Sequence, residues 1–253
     1  MNVKSITYDD LLDDEKELLR TIIGPKAVVS NEGIPIYLSQ DNQPLLVRNY
    51  LLPFSAHKEF EKQAKGSKLF RGGATVLVNT NLGLIVAPDE RYKWLRAIPS
   101  GVAEGYAEGR DLKKTGLREL GEELFVMDLK RRARLYPDGI ENVEKFSPFL
   151  NLTLDKVEVV GNLEQVDAYF NEENCAFESV FEWDLTQRED FTVVCQEEWA
   201  LGPGNSGISL MTLELKEQKV TGIFSGQQGL IPFPDYTLHP ALRLAQTKLT
   251  ATA

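Results

Sequence analysis

The sequence is poor in the residues from which cross-links and soft-metal centres are made. Its 253 residues include two cysteines, Cys175 and Cys195, and two histidines, His57 and His239. The cysteines form no CxxC and no finger spacing, which excludes a disulfide framework and fits a reduced, intracellular chain. Two isolated histidines exclude a histidine-rich metal site, and both are expected to be ordinary surface or packing residues. Long apolar runs are missing too: no stretch approaches the roughly 18 uninterrupted apolar residues of a membrane span. The opening "MNVKSITYDDLLDDEKELLR" carries acids where a signal or transit peptide needs cations and an apolar segment, so a soluble, cytoplasmic protein is expected. Positive charge is also scarce, with 28 Lys plus Arg against 38 Asp plus Glu, a formal net of −10. That balance excludes broad binding to a nucleic-acid polymer, although a small anionic ligand can still be held through a cation.

What the chain does have is enough length to bury a real core. From Tyr8 to about Ile23, leucines and isoleucines recur at broadly helical intervals after an Asp-rich start that favours the helix dipole. Short apolar runs, "AVVS", "IPIYLS" and "PLLVRNYLL", follow before the polar "AHKEFEKQAKGSK", and residues 1–68 are read as an N-terminal extension of mixed structure. A different grammar starts at Gly72. Ala74 to Val78 and Leu82 to Ala87 are β-rich runs joined by "NTNLG", which suits a tight hairpin. Then come "YKWLRAIPSG", a strand ending at a Pro-Ser-Gly turn, and a glutamate-bearing helix. Further strands are expected in "RRARLYPDG", "FSPFLNLTLDKVEVVG" and "AFESVFEWDL", and a short helix or loop in "VDAYFNEEN". The tail holds the Gly-rich "ALGPGNSG", a hairpin in "ISLMTLELKEQKVTGIFS" and a final helix with Pro240 in its first turn. Residues 69–253 form the second domain of an α+β chain built on a mixed β-sheet.

The helix is placed from Leu112 to about Val126, with Asp111 as its N-cap and Leu112, Leu117, Leu120 and Leu124 on its apolar side. Residues three and four apart stack on one face, so Glu119, Glu122 and Glu123 are expected together near the opposite side, with Arg118 adjoining. Like charges so spaced repel by a few tenths of a kcal/mol, which an exposed helix tolerates. A hard divalent cation such as Mg²⁺ would relieve that repulsion, since it takes oxygen ligands. It would also bridge substrate phosphates, which points to a phosphate-ester or pyrophosphate reaction.

"RELGEELFV" resembles the second half of the signature of the Nudix hydrolases, in which Arg-Glu-aliphatic-x-Glu-Glu-x-Gly-aliphatic follows Gly, five residues, Glu and seven residues. "GGATVLVNTNLGLIVAPDERYKWLRAIPSGVAEG" is similar to the strand, hairpin, strand and Pro-x-Gly approach to that signature. Three positions depart from it: Arg110 stands at the first signature Glu, Glu104 at the leading Gly and Phe125 at the final Gly. The resemblance implies a Nudix fold, a mixed β-sheet sandwiched between helices, and assigns Glu119, Glu122 and Glu123 to Mg²⁺ or Mn²⁺. Arg118 then orients the glutamate face. The support that Arg118 takes from the first signature Glu falls to Asp111, one position along, or Arg110 turns instead toward a phosphate.

The implied activity is metal-dependent hydrolysis of the pyrophosphate linkage in a nucleoside diphosphate joined to another group, by attack of water on phosphorus. The alternative is a catalytically impaired module of the same fold that binds a nucleotide-like ligand or a protein partner. A general base would be one of the three glutamates, or Glu197 or Glu198 beside Trp199 in the later loop. Tyr92, Trp94 and Trp199 are candidates to stack on a base, although such aromatics are more often core.

Overall fold

The computed structural model describes residues 3–23, 33–89, 94–139, 143–147, 150–195, 210–214, 219–222, 229–230 and 237–251. Their helices are α1 (Asp13–Ile23), α2 (His57–Gln63), α3 (Gly105–Arg110), α4 (Leu112–Glu123) and α5 (Pro240–Ala251). Strands with both parallel and antiparallel pairings make up most of the rest, so the class is α+β with mixed sheets. No helix among the described residues is long and apolar enough to cross a membrane. Cys175 and Cys195 are both free thiols, and both are buried.

The chain divides into two compact units, each discontinuous in sequence. The first comprises Met1–Ala74, Gly101–Thr115 and Asp167–Ser179, and thus contains all of residues 1–68. The N-terminal helical pattern resolves there into a short 3-10 turn, Tyr8–Asp10, and α1. Glu15 accepts a hydrogen bond from the Leu12 amide at 2.9 Å, which satisfies one donor that a helix start leaves open. Strands Ile34–Gln40 and Gln43–Leu52 form a hairpin whose turn residues Asp41 and Asn42 have φ of 48° and 60°, the left-handed pair of a two-residue turn. Leu19, Ile34, Ile36, Val47, Leu52, Phe60 and Leu69 fill its core. α3 falls where no helix was expected and packs closely on this hairpin. A Cβ on Gly109 would lie 2.8 Å from the Cβ of Pro35, and the Tyr37 hydroxyl donates to the Gly109 carbonyl.

The second unit comprises Thr75–Ser100, Gly116–Val166 and Val180–Ala253. The hairpin anticipated at "NTNLG" joins strands Leu69–Thr80 and Gly83–Asp89 through Asn81 and Leu82, with Thr80 paired to Gly83. Strand Trp94–Ala97 pairs with Gly83–Asp89, as does Met211–Glu214, which with Lys219–Gly222 forms the expected late hairpin. A separate four-stranded sheet has the order Lys156–Asn162, Ala133–Asp138, Leu124–Asp128, Thr192–Cys195.

Two expectations need correction. "VDAYFNEEN" is largely strand, Glu164–Asn171, rather than helix or loop. α4 stops at Glu123, and Leu124–Asp128 is a strand buried along its whole length. "LFVMD" is rich in residues that suit a pleated, buried surface, and tertiary packing has overridden the helical spacing that carried the pattern to Val126.

Candidate metal centre

α4 brings together four of the residues singled out in the sequence. Asp111 is its N-cap: the carboxylate accepts from the Lys113 amide at 3.3 Å. At about 100° per residue, Glu122, Glu119 and Glu123 fall in that order within one arc of about 100°, with Glu123 nearest the flank of Leu117 and Leu120 and Glu122 farthest from it. The structure therefore treats the glutamates unequally. Glu119 and Glu123 are buried, at 8% and 3% exposure, while the Glu122 side chain is 59% exposed. The three share one side of the helix, and on that side Glu119 and Glu123 are covered while Glu122 is not.

Arg118 ties the set together. Its Nη2 lies 2.9 Å from Glu119 Oε1 and its Nη1 lies 3.0 Å from Glu122 Oε2. The fork spans one buried and one exposed carboxylate, a geometry that a lysine would not reproduce. Glu123 points toward the Pro-Ser-Gly turn, where its Oε2 accepts from the Ser100 amide at 3.1 Å. The Ser100 hydroxyl in turn accepts from Arg96 at 3.3 Å. Helix and turn, both anticipated, thus meet at a carboxylate.

The far end of α4 is held by residues that sequence reasoning passed over. Arg134, 3% exposed, donates through Nη2 to the carbonyls of Gly121 at 3.0 Å and Leu124 at 3.3 Å, and through Nη1 to that of Glu144 at 2.7 Å. Its guanidinium sits 4.7 Å from the centre of the Phe125 ring. Tyr136, two residues along the same strand and hence on the same face, donates its hydroxyl to the Leu117 carbonyl. Burial pushes the Tyr136 phenol well above its ordinary value, so it stays a donor, and burial also draws the Arg134 guanidinium downward. The only sequence signal was the alternation of "ARLY", which places Arg134 and Tyr136 together without saying which face is covered.

Arg110, the last residue of α3, is exposed and makes no hydrogen bond or ion pair among the described residues. Glu104 and Glu108, its neighbours in the first unit, form a local cap: Glu108 Oε2 accepts from the Glu104 amide at 2.8 Å and from the Thr115 hydroxyl at 3.0 Å. Trp94 is 6% exposed and packs edge-on against His239, with ring centres 5.0 Å apart, so it serves the core of the second unit. Tyr92, Glu197, Glu198 and Trp199 lie outside the described residues.

Three carboxylates on one rigid helix supply the hard oxygen donors that Mg²⁺ or Mn²⁺ takes. As placed, though, no three His, Cys, Asp or Glu side chains among the described residues are gathered at metal-binding spacing. The Arg118 guanidinium neutralises two of the three glutamates instead.

No protein-family model matches the chain, and no curated protein matches it. Among solved structures, a NUDIX-family hydrolase from Clostridium perfringens is similar at 12% identity and a TM-score of 0.26, covering 53% of this chain and 86% of that one. A correspondence of that size fixes neither fold nor activity. The functional reading rests on the residues of α4.

Proposed function

We propose that the chain is a divalent-metal-dependent hydrolase of the Nudix type. It cleaves the pyrophosphate linkage of a nucleoside diphosphate joined to another group, with Glu119, Glu122 and Glu123 as ligands of Mg²⁺ or Mn²⁺. The observation that carries this reading is the burial of Glu119 and Glu123 on one helix flank, inside a string that resembles the Nudix signature. Ionised carboxylates resist burial, by several kcal/mol each, unless a counter-charge or hydrogen bonds compensate them. Here Arg118 compensates Glu119 and the Ser100 amide compensates Glu123, so both carboxylates are held buried in fixed places rather than solvated.

When bound, a divalent cation supplies charge to the pyrophosphate oxygens and a water of lowered pKa. For this chain, Arg118 bridges the carboxylates of Glu119 and Glu122, and the Ser100 amide holds Glu123 from the turn. Glu122, the most exposed of the three, is the ligand with freedom to leave Arg118 as the cation enters. Arg110, exposed and unpaired among the described residues, is suited to grip a phosphate with both prongs of its guanidinium.

One observation favours a second reading, a module of the same fold that binds a nucleotide-like ligand or a protein partner without turnover: the carboxylates are not gathered as a ligand set. Titration of Mn²⁺ by calorimetry into the parent and into a Glu119→Gln, Glu122→Gln, Glu123→Gln triple variant tests the metal, with binding expected in the parent alone. Release of phosphate or nucleotide from a panel of nucleoside diphosphate compounds, with and without Mg²⁺, tests turnover. Equal Mn²⁺ binding by both proteins ends the metal assignment, and binding without release selects the second reading.

A further inference from the structure

The first amides of a helix have no intrahelical acceptor, and the residue before the helix commonly supplies one through the side-chain oxygen of Ser, Thr, Asp or Asn. α5 uses a histidine instead. His239 stands directly before Pro240, and its Nδ1 accepts from the Ala241 amide at 3.3 Å. Its carbonyl accepts from the amides of Leu242 at 2.9 Å and Arg243 at 3.2 Å, which opens the helix. A ring nitrogen that accepts carries no proton, so this imidazole is neutral, with its hydrogen on Nε2.

The same residue fastens the helix to the sheet. Thr237–Leu238 pairs in parallel with the strand Trp94–Ala97, and the His239 amide continues the pairing by donating to the Leu95 carbonyl at 2.9 Å. The residue is 7% exposed, with its ring against Trp94 and the wholly buried Ala241 and Leu242 following it. Lifting the first turn of α5 is the direct way to bring that ring into water.

Protonation turns these contacts against the helix. Nδ1–H would meet the Ala241 N–H donor to donor, and the new charge would lie at the positive end of the helix dipole, in a place from which water is excluded. Among the described residues, the charged side chains around the ring are Asp89 and Arg96, which share the face of Trp94, and Arg243 on α5, whose Nε donates to the Leu238 carbonyl at 2.7 Å. Two guanidinium groups thus stand against one carboxylate, and their balance also disfavours an imidazolium. The docked ring therefore binds a proton less readily than a released one. Docking is undiminished above about pH 6.5, the ordinary value for histidine, and weakens as the pH falls below it.

We propose that His239 is a pH-sensitive latch, which docks the start of α5 on the strand Trp94–Ala97 at neutral pH and releases it in mild acid. The inference is independent of any metal or substrate. Only His57 and His239 are present in the chain, so the ring signals of the folded protein are few enough to follow one by one.

The test uses the full chain, with His57→Gln to assign the ring signals and His239→Asn as the untitratable latch, since asparagine caps a helix well and gains no charge in this range. Histidine nitrogen spectra give the tautomer and titration of each ring, and hydrogen exchange corrected for intrinsic rates gives the protection of the Leu242 and Arg243 amides relative to the strand Leu124–Asp128. In the parent, His239 should lack a proton on Nδ1 and titrate below about pH 6.5, and the opening of the first turn should rise by up to about tenfold between about pH 7.5 and about pH 5.5. In His239→Asn that rise should disappear. A proton on Nδ1 at neutral pH, titration of the folded ring at or above its ordinary value, α5 protection that does not change with pH in the parent, or an equal change in His239→Asn would each overturn the proposal. If the asparagine variant does not fold, the tautomer, titration and exchange of the parent decide it.

Discussion

The unequal burial of the glutamates predicts that two isosteric changes one residue apart have different consequences for stability. Glu123→Gln keeps an acceptor for the Ser100 amide but makes it neutral. Hydrogen bonds to charged groups contribute about 1.5–3 kcal/mol and neutral ones about 0.5–1.5, so the exchange costs about 1 kcal/mol at that contact. The new amide also brings two donors to a position only 3% exposed, and any left unsatisfied adds about 1–3 kcal/mol. Glu122→Gln removes an exposed ion pair with Arg118 four residues away, worth about 0.3–0.5 kcal/mol, and relieves repulsion of similar size from its neighbours. At about 2–4 °C per kcal/mol for a domain of this size, the total of about 1–4 kcal/mol means that Glu123→Gln should melt about 2–16 °C below the parent and Glu122→Gln within about 2 °C of it. The measurement is a calorimetric or circular-dichroism melt in chelator-containing buffer at neutral pH. A Glu123→Gln protein that melts at or above the parent would refute the burial argument and return the helix to a solvated acidic face.

Arg110→Ala should raise the Michaelis constant for a phosphorylated substrate and leave the melting temperature nearly unchanged, while Arg110→Glu should bind it worse still; a gain in turnover for Arg110→Glu would mark the natural protein as an impaired hydrolase. Two glycine-to-alanine changes should have opposite signs in urea denaturation. Gly109→Ala places a methyl 2.8 Å from the Cβ of Pro35, a rigid neighbour, and should cost about 1–3 kcal/mol. Gly121→Ala meets nothing nearer than the Tyr136 hydroxyl at 3.4 Å and should gain about 0.4–1 kcal/mol from helix preference. Loss of stability in both would show that α4 is packed more tightly on Tyr136 than this geometry implies.

The acidic helix was legible because its start is written in residue types: Asp111 caps it, and leucines at helical spacing define its apolar side. The hairpin at Asn81 and Leu82 was legible for the same reason, since turn chemistry is local. Periodicity assigns angles around a helix but not the neighbours that cover them, so nothing in "RELGEEL" distinguishes the buried Glu123 from the exposed Glu122. The end of α4 was misplaced because Leu124 and Val126 satisfy a helix and a buried strand equally well, and only the pairing with Ala133–Asp138 and Thr192–Cys195 decides between them. Strand Glu164–Asn171 escaped notice because its polar residues do not alternate with apolar ones; most of its length is half-buried rather than one-sided. Arg134 sits in a run of basic residues, and nothing in that run marks it out as buried.

The first unit is assembled from three stretches of chain that are far apart in translation. The Gly105 amide donates to the Gly33 carbonyl, the Ala103 amide to that of Gly72, and the Arg71 amide to that of Cys175. A ribosome that has released only the first hundred residues has therefore released a body whose hydrogen-bonding partners are still to be synthesised. That nascent segment carries Leu19, Ile34, Ile36, Val47, Leu52 and Phe60, which the finished unit encloses. Until about residue 175 emerges the Gly33, Gly72 and Arg71 backbone groups lack these partners, and a stop codon or proteolytic cut between the stretches would leave them open.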